Sequence, residues 1–386
     1  MKRSFAASAY LVAAGAMACA GLGVPQSAAA YTFQIFSVQY ANPTNPCMGG
    51  YGINDRSEVV IYDCSNGGGI PYLWHKGRLT ALPQHPLAGP VGGGALGGTF
   101  PLAISNSGQI AGYYYDDTNV EHGFTYTPGT RTTPAVWTTL DHPTPSNVTP
   151  GTTVFTYPRG ISLRHGIALG IAAAYTLPTG YRSGTIEGAD RSVIDTTPTD
   201  QWQDFDGGSD PVNGVYNSVV GASGAGSILT GINDHRVIVG RRDAPFNDSF
   251  IYFGGAHLRG TTVCRLFTSS NSNVPEPPGC SPRFVTFNYN GYRTHATAIN
   301  RNGDIAGWFN DPNNNYFGQS FIRSGATEAI QIVNVTDPVT GAAYISTATG
   351  MNNLGQIVGD VYPTVASWNN APALTGDGQT VFVATP

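Results

Sequence analysis

The chain has 386 residues, a net charge of −5 and only 11% charged residues, with no basic cluster beyond Arg241-Arg242. Covering a phosphate backbone takes many Lys and Arg, so nucleic acid is not an expected partner. Fifty Gly and 27 Pro interrupt the chain, yet 20 Tyr and 17 Phe are too many for a disordered one, which points to short strands separated by turns.

The first element in chain order reads as an address. Lys2 and Arg3 form a positive head, Phe5 to Ala18 is apolar and uncharged, and Ala28-Ala29-Ala30 supplies a small-residue cleavage pattern. Residues 1–30 therefore read as a secretory signal, with the mature chain beginning near Tyr31 in the periplasm or outside the cell. The apolar run is too short for a membrane helix, and no second one follows, so no transmembrane segment is expected. An alternative lipoprotein reading would use Cys19, but Ala16-Met17-Ala18 lacks the usual Leu three positions upstream. Residues 31–386 suffice for one large β-architecture, expected to be monomeric.

Four cysteines follow the signal: Cys47, Cys64, Cys264 and Cys280. An even number in an exported chain favours disulfides, and of the three pairings the local one is preferred. Cys47 and Cys64 are equidistant from a turn expected at Asp55-Arg56. Cys264 and Cys280 bracket a Ser-, Asn- and Pro-rich loop at about 264–280.

Six imperfect copies of Ile-Asn-x-x-Gly-x-Ile-x-Gly then organise the chain, beginning at Ile53, Ile104, Ile161, Ile232, Ile299 and Met351. The apolar lead residue ends one strand and Asn or Ser bonds the backbone of a tight turn. Gly supplies the positive φ that closes the hairpin, and the last Gly admits a neighbouring backbone or marks a bulge. Copies one and three depart at both Gly positions, with Ser57 and Ile61, and His165 and Leu169; copy four has Arg236 at the turn. Aromatic strands follow most copies, at Tyr72-Leu73-Trp74, Phe124-Thr125-Tyr126, Phe250-Ile251-Tyr252, Phe321-Ile322 and around Trp368. Others precede them, at Phe33 to Phe36, Val154-Phe155, Phe284 to Phe287 and Ile330 to Val333.

Four short strands per unit predict an all-β, six-bladed β-propeller of mostly four-stranded antiparallel blades over 31–386. Strand-like segments at both ends, Phe33 to Val38 and Val381 to Val383, predict closure by pairing of the terminal strands. The rival architectures are an open solenoid, disfavoured by unequal repeat spacing, and two sandwiches of three units.

The repeats resemble the bacterial extracellular HAF repeat. The best match runs from Ile104 through Tyr113-Tyr114-Tyr115-Asp116-Asp117 to His122-Gly123-Phe124, with Gly97-Gly98-Thr99-Phe100 before it. The resemblance implies a secreted or envelope location and a propeller-like fold. It implies no common activity and transfers no catalytic residue.

Candidate sites come from the residues instead. An acidic insertion at about 184–226 places Asp204, Asp206 and Asp210 at near-alternate positions turned by Gly, a pattern suited to calcium, the one candidate cofactor. It lacks the downstream Glu of a helix-loop-helix site, and a solvated acidic loop is the competing reading. Trp202 beside it, and Tyr114 in the Tyr113–Tyr115 run where alternation should turn a ring outward, are candidate binding residues. Glu121 and His122 are a fainter candidate, an acid-base pair, set against a structural role for His122 as part of the repeat pattern. No nucleophile elbow, His-Glu-x-x-His, phosphate loop or dinucleotide fingerprint occurs. The expectation is a secreted binding module for glycans or envelope proteins at the cell surface. The alternative is a polysaccharide-active hydrolase or lyase with its site at one propeller mouth.

Overall fold

The computed structural model describes residues 31–36, 47–91, 97–141, 155–161, 170–177, 180–187, 202–204, 227–235, 237–242, 248–253, 283–311, 317–336, 341, 343–362 and 380–386. The regular elements among them are all β-strands. β1 (Thr32–Phe36) comes first. Six groups follow from the chain order. The first is β2 (Met48–Ile53), β3 (Val59–Asp63), β4 (Gly68–His75) and β5 (Arg78–Ala81); the second is β6 (Gly97–Ile104), β7 (Ile110–Tyr115), β8 (Glu121–Thr127) and β9 (Val136–Thr139). The third is β10 (Phe155–Ile161), β11 (Gly170–Leu177), β12 (Gly180–Glu187) and β13 (Trp202–Asp204). The fourth is β14 (Ser227–Ile232), β15 (Val237–Arg242), β16 (Ser249–Phe253) and β17 (Arg283–Phe287). The fifth is β18 (Thr294–Ile299), β19 (Ile305–Asp311), β20 (Phe317–Arg323) and β21 (Ile330–Val333). The sixth is β22 (Ile345–Met351), β23 (Ile357–Tyr362) and β24 (Thr380–Thr385), with β1 as its fourth strand: Thr32 lies opposite Thr385 and Phe36 opposite Val381.

Pairing inside each group is antiparallel and sequential. The first two groups also touch through a two-residue parallel contact, Gly68 and Gly69 against Gly97 and Gly98. Backbone proximity demands glycine there: a Cβ on Gly98, whose φ is +87°, would lie 2.2 Å from the Gly69 carbonyl oxygen.

The repeat chemistry explains the hairpins. Each lead residue, from Ile53 to Met351, ends the first strand of its group. Asn54 Oδ1 accepts hydrogen bonds from the amides of Arg56 and Glu58, and Asn233, Asn300 and Asn352 do the same for residues two and four places on. The turn reaches left-handed φ at Gly108 (86°), Gly303 (83°) and Gly355 (78°), and Ser57 adopts it as well at 59°. Losing its Gly therefore leaves the first hairpin with the common turn, held by the asparagine. The Cys47–Cys64 disulfide closes its far end, with Cα atoms 4.9 Å apart. Cys264, Cys280, His165, Arg236 and Trp368 lie outside the described residues.

The last Gly of the motif is a packing requirement. A Cβ on Gly307 would lie 2.2 Å from the His295 carbonyl oxygen and 2.8 Å from the Phe321 ring; one on Gly359 would lie 2.1 Å from that of Thr347 and 2.7 Å from Phe382. In the first group this position is Ile61, and the residue opposite it on β2 is Gly50. The missing side chain has moved to the other member of the pair.

The core lies between groups. Val237 and Val239 pack on Ala296 and Ile305, joining the fourth group to the fifth; Ala306 and Val333 pack on Met351 and Phe382, joining the fifth to the sixth. Val358 and Val381 pack on Ile53 and Trp74, joining the sixth to the first, and Val60 packs on Ile104 and Phe124, joining the first to the second. Polar bonds follow the same junctions at the turns. Asn54 Nδ2 donates to the Ser105 carbonyl at 3.1 Å, Asn233 to that of Asn300 at 2.9 Å, and Asn352 to that of Asn54 at 2.9 Å.

Candidate functional site

Each group contributes three consecutive residues of its first strand, ending on the repeat's lead residue, to one narrow central cavity of about 40 Å³. That volume admits a few waters and excludes a sugar ring. A ligand would have to sit at a mouth.

All six first strands carry a bulge at the same register, so that Tyr51, Leu102, Arg159, Thr230, Thr297 and Thr349 have no partner opposite them. A bulge re-aims one side chain, and here the six residues divide into two sets. Thr230 and Thr297 donate their hydroxyls to the neighbouring group's carbonyls, Ala296 at 2.7 Å and Ala348 at 2.8 Å, and Thr349 bonds that of Gly50 likewise. Those hydroxyls are committed to holding groups together. Tyr51, Leu102 and Arg159 replace them in the first three groups.

Aromatic rings converge in the same three groups, at the strand ends away from the asparagine turns. Tyr62 lies edge-on to Phe100 with centroids 5.0 Å apart, and Phe100 stacks on Tyr113 at 4.7 Å. Tyr113 meets Tyr115 at 5.8 Å and Tyr157, from the third group, at 5.7 Å. Tyr62, Phe100 and Tyr113 are buried, while Tyr115, Tyr157 and Arg159 are half-buried.

Glu121, the first residue of β8, is 1% exposed within this cluster, its carboxyl facing the Tyr115 and Tyr157 hydroxyls and the Arg159 guanidinium. Burial pushes its carboxyl up to about 8; the nearby Tyr115 and Tyr157 hydroxyls and the Arg159 guanidinium pull the other way without offsetting it. Burial thus favours the protonated form of this acid near neutral pH. Arg159 Nε is also buried without an acceptor. A perturbed acid beside a cation at the edge of an aromatic cluster has the marks of a functional site.

The Glu121–His122 acid-base pair expected from sequence does not form. Neighbours on a strand face opposite sides, and His122 turns to two carboxylates: Nδ1 lies 2.8 Å from Asp141 Oδ2 and Nε2 lies 3.4 Å from Asp116 Oδ2. Tyr114 is corrected too. It is 2% exposed, its ring stacked 3.7 Å from His85 and 5.1 Å from His122, because neighbouring groups cover both faces of β7. Burial pushes the His85 imidazole down to about 4, and the nearby His122 adds to this.

The start of the acidic insertion is also corrected. Residues 184–187 belong to β12, and Trp202 and Asp204 lie on β13, which pairs with it through Ile186 opposite Trp202 and Gly184 opposite Asp204. Asp206 and Asp210 lie outside the described residues. Among the described residues, no three His, Cys, Asp or Glu side chains are arranged to hold a metal, and no helix is long and apolar enough to cross a membrane.

Sequence reasoning missed Arg159 altogether, and of its two readings of His122 the structural one agrees with the two carboxylates beside the ring. One signal was available: in the slot two places before each lead residue, three copies carry Thr and the others carry Tyr51, Leu102 and Arg159.

No family model matches the chain, and no curated protein matches it. Among solved structures, a protein of unknown function from Dyadobacter fermentans superposes with a TM-score of 0.44 at 12% identity, covering 92% of this chain and 99% of that one. A mutant of Aleuria aurantia lectin in complex with alpha-methyl-L-fucoside gives 0.41 at 10% identity, covering 89% and 96%. TolB from Acinetobacter baumannii gives 0.38 at 11% identity, covering 88% and 64%.

Proposed function

We propose that the chain is an exported six-bladed β-propeller of HAF-like repeats acting as an extracellular glycan-binding module, with its site on the Tyr115, Tyr157, Glu121 and Arg159 sector. The propeller reading is supported by six four-stranded groups, by core packing that runs from the sixth group to the first, and by the pairing of β1 with β24. Export is supported by the leader-like residues 1–30.

One observation carries the binding role: a half-buried aromatic edge lies beside an acid that burial tends to keep neutral and beside a cation that lines a cavity too small to admit the ligand. Aromatic faces take the apolar face of a sugar ring, and fixed polar groups beside them orient its hydroxyls. The test is a glycan array followed by calorimetry, with Tyr157→Ala as the site variant. Saccharide binding that Tyr157→Ala weakens tenfold or more supports the reading; binding that this variant leaves unchanged removes the site assignment.

The neutral Glu121 acid favours a second reading, a polysaccharide hydrolase in which Glu121 protonates the leaving oxygen. Release of reducing ends from a polysaccharide, abolished by Glu121→Gln, would establish it over the binding role.

A further inference from the structure

Building on the glycan-binding reading, we propose that this site selects acidic saccharides, the Arg159 guanidinium gripping a sugar carboxylate while the sugar ring lies on the Tyr115 and Tyr157 edge. At the equivalent bulge, Thr230, Thr297 and Thr349 commit their hydroxyl protons to the next group's carbonyl, so those three groups offer no side-chain donor there to a ligand. In the third group the same bulge carries Arg159, one of the residues that line the cavity. Its Nε is buried without an acceptor. A cation held this way is costly until an anion joins it, and the planar fork of a guanidinium matches a carboxylate with two parallel hydrogen bonds.

The protein's own acid does not fill that role. Glu121 faces Tyr115, Tyr157 and Arg159, and burial favours its protonated form, which leaves the guanidinium charge in place. A neutral sugar would use the rings and leave the charge uncompensated. A uronic-acid-type sugar uses both.

The experiment compares three oligosaccharides of matched length by calorimetry at pH 7: an oligogalacturonate, its methyl ester and a sulfated neutral oligomer. The oligogalacturonate is expected to bind at least tenfold tighter than either of the others, and to weaken in 0.5 M salt. Arg159→Ala should remove that preference, Arg159→Lys should restore part of it, and exposed Arg131→Ala should leave it intact. Thermal melting of each variant separates lost binding from lost folding, and Arg159→Gln serves if the alanine variant does not fold. Between pH 7 and 9 binding should fall in the natural protein, as ionised Glu121 competes for the guanidinium, and stay level in Glu121→Gln. Equal affinity for acid and ester, preference for the sulfated oligomer, or indifference to Arg159→Ala would each overturn acid selection. If neutral oligomers still bind and Tyr157→Ala weakens them, only this inference fails. If no saccharide binds, the glycan reading fails with it.

Discussion

Glu121→Gln gives the most direct view of the buried acid. The amide has the carboxyl's shape and does not ionise. In the folded protein the carboxyl titrates at about 8, against 4.5 for an ordinary glutamate. Between those values the folded chain keeps a proton that the unfolded chain has released. The proton's contribution to stability is therefore fully present below about pH 4.5 and is lost as pH rises through about 8. The full span corresponds to about 5 kcal/mol at 1.36 kcal/mol per pH unit. Half-exposed Tyr115, Tyr157 and Arg159 admit water to this region, so about 2–4 kcal/mol is the expected size. Urea unfolding of both proteins at pH 4.5 and 8.5 measures it, since other titrating groups cancel in the difference between two chains that differ at one atom. The variant should match the natural protein at pH 4.5 and exceed it by that amount at pH 8.5. Parallel stability curves would show that Glu121 is an ordinary ionised carboxylate, and the neutral-acid reasoning would go with them.

The opposite pH limb belongs to His85. Its titration falls to about 4, so its contribution is present above about pH 6.5 and is lost as pH falls through 4, up to about 3 kcal/mol and closer to half that at a partly hydrated site; ring-proton NMR that places its titration near 6.5 would contradict this. Gly307→Ala should cost about 3 kcal/mol or more because its Cβ meets the His295 carbonyl, whereas Gly77→Ala, with nothing within 4 Å and a φ of +81°, should cost about 1 kcal/mol of backbone strain; equal melting temperatures for the two would refute the close-approach account. Replacing both Cys47 and Cys64 by Ser should lower stability by about 3 kcal/mol, as expected for a crosslink 17 residues apart, and a reductant should have the same effect on the natural protein.

The hairpins were readable because their causes are local. A lead isoleucine, an asparagine and a residue tolerating positive φ lie within five positions, and the structure closes the turn with those groups even where Ser57 stands for Gly. Pairing of the two chain ends was readable from strand-like segments, and the Cys47–Cys64 bond from its symmetry about the turn. Contacts between groups were not. Alternation predicts an exposed ring in Tyr113–Tyr115 only if one sheet face meets water, and β7 is covered on both, which turned Tyr114 inward. Glu121 looked like a partner for His122 because they are adjacent; its actual surroundings come from β7 and from the next group, through Tyr157 and Arg159. The bulge that aims Arg159 is set by tertiary register, and no turn residue announces it.

The pairing of β1 with β24 has a consequence for the history of each molecule. A chain emerging amino-end first must hold an unpaired strand until more than three hundred further residues have followed, because residue 32 finds its partner only at residue 385. Contacts of such separation form slowly. Until they form, the free edge of β24 offers backbone donors and acceptors to any other extended chain. The same edge of a second molecule is its nearest match, so trading first strands between copies is the natural error at high concentration. Yield of the well-formed protein should then depend on how dilute the newly made chains are, more than on how stable the finished one is.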